Sequence, residues 1–390
     1  LDDSRLNRQR ISGATLDATV RDSTVRSTLA LSTPEGGMDL ALTARPFDPT
    51  PTYRLSEGTF ETLDVGALAG LPGLSTGVSG TLRLTGRGAQ GPRLRLDAGL
   101  ALKPSTINRA EVSEGRLSVA AAGGRLRARG YATGSGGTVQ FRGHLDSLST
   151  RPAYAFRGRA DSVDVGALAG LDSLRARLQA VRWSVDGRGT TPRTLTASAR
   201  VAATSARVGS LRLDTVSVAG RFDRGVFRAD TLALRSNVGT LRGHGPLALM
   251  PEAGTSDFDV QATVADAAPL RPLLGGPRLR LRSATARAHV YGTGRTQRFD
   301  GTLALNGFLY NDIRLSDLSA TFRGQRGPSQ FLDRLALQGE AGYLSAVGLT
   351  ATRTQLDATY DGTTASLTTT LRLDETHQVE LAAAVGPAGT

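Results

Sequence analysis

At 390 residues the chain is longer than a single compact core usually grows, so two or three globular domains or one elongated stack are expected. Aromatic residues make up only 5%, glycine reaches 47 copies and cysteine is absent, which points to a turn-rich β protein with a thin core and excludes disulfides and cysteine-ligated metal. The net charge of +12 rests almost wholly on arginine, Lys103 being the single lysine; the arginines alternate with apolar residues, as in Arg93-Leu94-Arg95-Leu96 and Arg278-Leu279-Arg280-Leu281, instead of clustering along the chain as a nucleic-acid footprint would.

In chain order, the first distinctive segment is Leu63-Asp64-Val65-Gly66-Ala67-Leu68-Ala69-Gly70-Leu71. Asp64 stands at an N-cap position, Leu and Ala follow at helical spacing, and Gly and Pro break the pattern, so one short amphipathic helix is expected. A strand through Leu82 and Leu84 comes next and ends in Gly86-Arg87-Gly88. Leu94, Leu96, Ala98, Leu100 and Leu102 then share one face of a strand, and Val139, Phe141, Gly143 and Leu145 share a face beyond the turn signals Gly123-Gly124 and Gly134-Ser135-Gly136-Gly137.

The first segment returns at Val163-Asp164, with Asp164 to Leu171 identical to Asp64 to Leu71 at a shift of 100. Trp183-Ser184-Val185-Asp186-Gly187-Arg188-Gly189 repeats the strand that follows it. Further on, Phe258, Val260, Ala262 and Val264 alternate ahead of a looser third copy that runs from Val264 to Gly275, and His289-Val290-Tyr291-Gly292-Thr293-Gly294 again ends a strand in Gly-x-Gly. Leu303, Leu305, Gly307 and Leu309 share a face, and alternation continues through Leu367, Thr369, Leu371 and Leu373 and then Val379, Leu381, Ala383 and Val385.

Internal repetition at this period reads as one elongated, all-β region with a few short helices. About six strands and one helix per unit are expected, with approximate units 1–88, 89–189, 190–294 and 295–390 in one continuous stretch. Short turns make consecutive strands antiparallel, and an open sheet of roughly twenty strands must curl. Curled without closing, it is a groove with an apolar inside; closed or stacked, it has a filled core. Alternation alone leaves both open. The candidate groove residues are Leu82, Leu84, Leu94, Leu96, Leu100, Leu102, Val139, Phe141, Leu145, Phe258, Val260, Val264, Leu303, Leu305 and Leu309.

Gly86-Arg87-Gly88-Ala89-Gln90-Gly91 matches the dinucleotide fingerprint, but Pro92 and a strand follow where a helix is needed, so a hairpin turn is expected. His144 and His244 stand one repeat apart in similar contexts, which repeat inheritance explains better than a ligand pair. Carboxylates such as Asp161, Asp164, Asp214, Asp230, Asp257, Asp259 and Asp266 fall at strand ends, caps and turns, and the motifs of nucleophilic, P-loop and zinc hydrolysis are missing. No enzyme activity, cofactor or metal is expected.

The segment Asp64-Val65-Gly66-Ala67-Leu68-Ala69-Gly70, the strand and Gly-x-Gly after it, and the run Leu211 to Phe222 leading to Leu232-Ala233-Leu234 together resemble the AsmA-like superfamily, and within it the TamB-like translocation and assembly module family. The resemblance implies a long twisted sheet with an apolar groove, a periplasmic location in a diderm bacterium with inner-membrane anchoring outside this stretch, and phospholipids as cargo. It also implies an outer-membrane barrel assembly protein as a partner reached through flanking regions; that no nucleic acid is a partner is expected from the dispersed arginines. The opening Leu1-Asp2-Asp3-Ser4 reads as the start of a piece of something longer. A structural or adhesive β scaffold with a filled core is the competing expectation.

Overall fold

A computed structural model describes residues 2–386 apart from 8, 69, 71–73, 90–92, 147–151, 165, 168–175, 190, 192, 209–210, 271–278, 327–331, 347–348 and 374. The chain divides into two compact units, Leu1–Thr190 and Thr191–Thr390. Among the described residues it forms 29 strands, more than the roughly twenty expected, because several pieces of three or four residues branch from longer ones.

The first unit runs β1 (Asp2–Leu6), β2 (Gln9–Arg21), β3 (Thr24–Ser32), β4 (Gly37–Arg45), β5 (Thr52–Leu63), α1 (Val65–Leu68), β6 (Thr76–Arg87), β7 (Arg95–Leu102), β8 (Ser105–Ile107), β9 (Ala110–Ala122), β10 (Arg125–Gly134), β11 (Gly137–Asp146), β12 (Ala153–Asp161), β13 (Val163–Asp164) and β14 (Ala176–Arg188). Every described pairing is antiparallel and nearly all join strands adjacent in the chain. Period-two sequence with tight turns can do little else. The Gly123–Gly124 turn shows the local reason: both residues have positive φ, 61° and 78°, the geometry a two-residue hairpin between β9 and β10 requires.

The second unit runs β15 (Thr196–Val208), β16 (Leu211–Asp223), β17 (Val226–Ser236), β18 (Gly239–Ala248), β19 (Thr255–Val264), β20 (Leu279–Thr293), β21 (Gln297–Tyr310), β22 (Ile313–Ser316), β23 (Leu318–Arg326), β24 (Arg334–Ala341), β25 (Tyr343–Ala346), β26 (Leu349–Ala351), β27 (Arg353–Tyr360), β28 (Ala365–Arg372) and β29 (Gln378–Val385). Here β21 pairs with both β22 and β23, so the small ribbon β22–β25–β26 splits from the main ladder. At that fork Leu318, Ala320 and Ala341 form a packed cluster, joined by Leu305, Leu315, Leu337 and Leu356.

The expected helices shrink to single turns. α1 has four residues, Gly166 and Ala167 are helical in the second copy while its continuation lies outside the described residues, and the third copy forms a 3-10 turn, Ala268–Leu270. What repeats is the cap. Asp64 Oδ1 accepts the Ala67 amide at 2.9 Å, Asp164 Oδ1 accepts the Ala167 amide at 2.9 Å, and Asp266 Oδ1 accepts the Ala268 amide at 2.8 Å. Thr62 and Ser162, two residues before the first two caps, both have positive φ, 49° and 56°, so the backbone turn that delivers the aspartate repeats as well.

Asp64 Oδ1 also accepts the Thr76 amide at 3.3 Å, tying the turn to the start of β6. Replacing Asp64 by Ala should therefore cost about 0.5–2 kcal/mol, read as a lower thermal midpoint; an unchanged midpoint would remove the cap from the account.

Candidate functional site

Strand register assembles the sequence-scattered leucines into rows. In the first unit one row crosses eleven strands from β2 to β14: Leu16, Leu29, Leu40, Gly58, Leu82, Leu100, Leu117, Gly130, Phe141, Gly158 and Trp183. Beside it lie Leu42, Leu55, Leu84, Ala98, Val119, Ala128, Gly143, Phe156 and Val185. A third row carries Phe60, Gly80, Leu102, Gly115, Ala132, Val139, Ala160 and Val181, and a fourth Tyr53, Gly86, Leu96, Ala121, Leu126, Leu145, Tyr154 and Gly187. None of the four contains a charge. Burial pushes the Tyr154 phenol up from its ordinary pKa, with Asp186 adding to the shift, as befits a hydroxyl on an apolar face.

The second unit repeats the arrangement across twelve strands, in the row Val201, Val218, Leu232, Gly243, Val260, Ala288, Gly301, Phe322, Leu337, Ala358, Leu367 and Ala383. Leu303 stands in the next row between Ala286 and Ala320, and Val264 and Leu305 share a row through Ala284. Phe258 pairs with Val290 and is buried at 7% exposure.

Two expected groove residues fall elsewhere. Leu94 precedes β7 and lies outside the ladder. Leu309 pairs with Arg280 and Arg314, while Phe308 pairs with Leu281 and Leu315, and Leu315 belongs to the packed apolar cluster. At Gly307, whose φ is 66°, the β20–β21 pairing is interrupted, and beyond it Phe308, not Leu309, stands opposite Leu315 of the cluster. Simple counting by twos from Leu303 therefore puts Leu309 on the wrong side.

Sequence reading missed the partnership between the aromatics and the strand glycines. Phe60 stands opposite Gly80, Tyr53 opposite Gly86, Phe141 opposite Gly130, Phe156 opposite Gly143, Trp183 opposite Gly158 and Phe322 opposite Gly301. A Cβ at Gly158 would lie 2.6 Å from Trp183 Cε2, and one at Gly130 would lie 2.7 Å from Phe141 Cε1. Each ring thus lies down over bare backbone, the aromatic rescue of a strand glycine. Rings lying flat leave a low, smooth apolar floor. The signal was present in the sequence as Gly two residues from apolar positions, but pairing it with a ring needs the register.

Among the described residues this face is mostly half-buried, Leu16 is 66% exposed, and the packed apolar cluster is the one at the β21 fork.

On the other face, strand pairing sets acids beside bases. Asp146 meets Arg125 through two oxygens, one contact at 3.0 Å, and the guanidinium holds its carboxyl below the usual carboxylate range. His144 and His244 each meet their own carboxylate, Asp146 and Asp259, both at 3.6 Å. Sequence reading did not foresee that His244, Asp259, His289 and Asp300 fall in one cross-strand row, with His289 Nδ1 3.0 Å from Asp259.

The Gly86-Arg87-Gly88 segment is strand and strand end. Gly86 lies under Tyr53, Gly88 has φ 84° and donates to the Pro51 carbonyl at 2.7 Å, and the next described regular element is β7. Gly189 does the same with Pro152 at 3.1 Å. Gly91 lies outside the described residues. No helix of the described residues is long and apolar enough to cross a membrane. No family model, curated protein or solved structure matches this chain.

Proposed function

We propose that the apolar face carries phospholipid acyl chains, as part of an AsmA-like, TamB-like protein of the periplasm that moves lipid between the inner and outer membranes and performs no chemical reaction. One observation carries this reading: rows without charge cross eleven and twelve strands and stay half-exposed. Contiguous apolar surface on that scale marks a site for an apolar partner. At about 4.8 Å per strand, an eleven-strand row is roughly 50 Å along its contour, longer than an acyl chain.

Each buried methylene is worth about 0.8 kcal/mol, so a sixteen-carbon chain leaving a bilayer for water costs on the order of 12 kcal/mol. A smooth floor of Leu, Val, Ala and flattened rings offsets most of that without selecting one chain. A filled core, made by closure or by stacking, would bury these same leucines fully, and the half-exposure of most of them favours the open groove. Strand alternation points arginines within strands away from the apolar rows, so a headgroup would be met at strand ends.

Trp183 is the sole tryptophan and lies in the first row. A bromine-labelled fatty acid should quench its fluorescence saturably in delipidated protein, and unlabelled fatty acid should reverse the quenching. Absence of quenching, together with absence of co-purifying lipid, would refute the proposal.

A further inference from the structure

We infer that the polar face of the first unit holds a binding site for phosphate-bearing anions, independent of the apolar face. Arginines that are scattered in sequence stack across strands there. Arg129, Arg142 and Arg157 stand in direct register on β10, β11 and β12, flanked by Ser118 and Ser184. One step along the strands runs a second row, Arg116, Tyr131, Gln140, Arg159 and Arg182.

Between these rows lies a furrow of about 790 Å³. Six guanidiniums line it, and neither row contains an acid. Its floor is the backbone at Gly130, Phe141 and Gly158, whose side-chain directions belong to the opposite face. A second furrow of about 980 Å³ runs along the other flank of the Arg129–Arg142–Arg157 ridge; it is of mixed charge, lined by Arg83, Arg127 and His144 together with Asp97 and Asp186.

Like charges directly opposite one another on a sheet destabilise it, and strand neighbours stand about 4.8 Å apart, so a three-arginine ladder is unfavourable until an anion lies on it. Opposed arginine pairs also occur at Arg87–Arg95, Arg207–Arg212, Arg221–Arg228 and Arg353–Arg372, but there Arg212 has Asp214, Arg221 has Asp230 and Arg353 has Glu340, and among the described pairings the run of three in direct register is the one on β10–β12. Among the described residues the six arginines of the furrow make one side-chain bond, Arg159 Nε donating to Gln140 Oε1 at 3.2 Å, while the nearest acids on the same strands, Glu114, Asp161 and Asp186, stand one step beyond the two rows.

Guanidinium forks bind phosphate oxygens in pairs, and Ser118, Tyr131 and Gln140 add neutral donors around them. The volume suits a compact ligand with several phosphates or neighbouring phosphate headgroups, and both present the same oxygens.

The test titrates the full chain with inorganic tripolyphosphate by calorimetry, and with phosphatidylcholine vesicles with or without phosphatidic acid by co-sedimentation. Saturable tripolyphosphate binding supports a soluble phosphate ligand; binding of phosphatidic acid vesicles alone supports headgroups. Either affinity should fall at least about tenfold in the R129Q/R142Q/R157Q variant and in R159Q/R182Q, which removes the opposite wall, but not in R224Q, whose partner is Asp223. Because the first variant relieves repulsion, it should melt no lower than the parent. Trp183 quenching by brominated fatty acid should be the same in all of them, which separates this site from the acyl-chain proposal. No binding of either probe, or binding by both Gln variants as tight as the parent's, would overturn it.

Discussion

Phe141→Arg should lower the affinity for an acyl probe by about tenfold or more, because a guanidinium held against a hydrocarbon chain must be desolvated without a partner. Phe141 sits in the eleven-strand row two strands from Trp183, roughly 10 Å away, so loss of brominated-lipid quenching reads the event locally. Phe141 is half-buried, and its ring covers Gly130 where a longer flexible side chain can lie along the same backbone. Folding should survive, as circular dichroism can verify. Phe141→Leu, which keeps the surface apolar, should retain quenching. Leu367→Arg, at a 42% exposed position of the twelve-strand row in the second unit, should reduce the total acyl chain bound while leaving the Trp183 signal in place. A folded Phe141→Arg protein that binds and quenches like the parent would remove the apolar rows from the mechanism.

Gly158→Ala should destabilise the first unit by about 1–3 kcal/mol, the usual cost of forcing atoms into an occupied position. The new Cβ would fall 2.6 Å from Trp183 Cε2 and 2.6 Å from the Gln140 carbonyl oxygen. The ring can swing away, but the overlap with the Gln140 carbonyl is relieved only by a shift of the β11–β12 ladder, so only part of the loss belongs to the ring. For a unit of this size each kcal/mol lowers the thermal midpoint by about 2–4 °C. Trp183 emission should shift to the red as the ring stands up into solvent. A double-mutant cycle with Trp183→Leu separates the ring's share from that of the Gln140 carbonyl and of backbone entropy: the smaller partner should recover the ring's part and leave the rest. Equal losses in both backgrounds would mean that the ring does not rest on Gly158 for stability.

The two expectations use one feature. Glycine opposite an aromatic lets the sheet present large apolar area without standing side chains, and substitutions on either partner disturb it in opposite ways. Arg at Phe141 spoils the surface but spares the backbone; Ala at Gly158 spares surface chemistry but displaces the ring.

How much of this could be read from the sequence depends on how local each feature is. Leu94 to Leu102 announces a strand with an apolar face because alternation acts between residues two apart, and Asp64 and Asp164 announce capped turns because the cap closes within three residues. The repeat at a shift of 100 carried both forward to the second copy. Gly307 shows the limit within a strand: beyond this positive-φ residue Phe308 stands opposite Leu315 and Leu309 opposite Arg280 and Arg314, and alternation contains no hint of it.

The arginines show the limit between strands. Arg129, Arg142 and Arg157 are separated by many residues and look dispersed, yet hairpin lengths bring them into direct register. By itself, then, the amino-acid order determined an antiparallel β protein with one apolar and one charged face, built from repeated units without a catalytic motif. Only the tertiary structure decided which leucines form continuous rows, which glycines lie beneath rings, and that the described apolar face is mostly half-buried. The physical reason is that face and turn are set by neighbours along the chain, whereas register and coverage depend on bulges, hairpin lengths and strands tens of residues away.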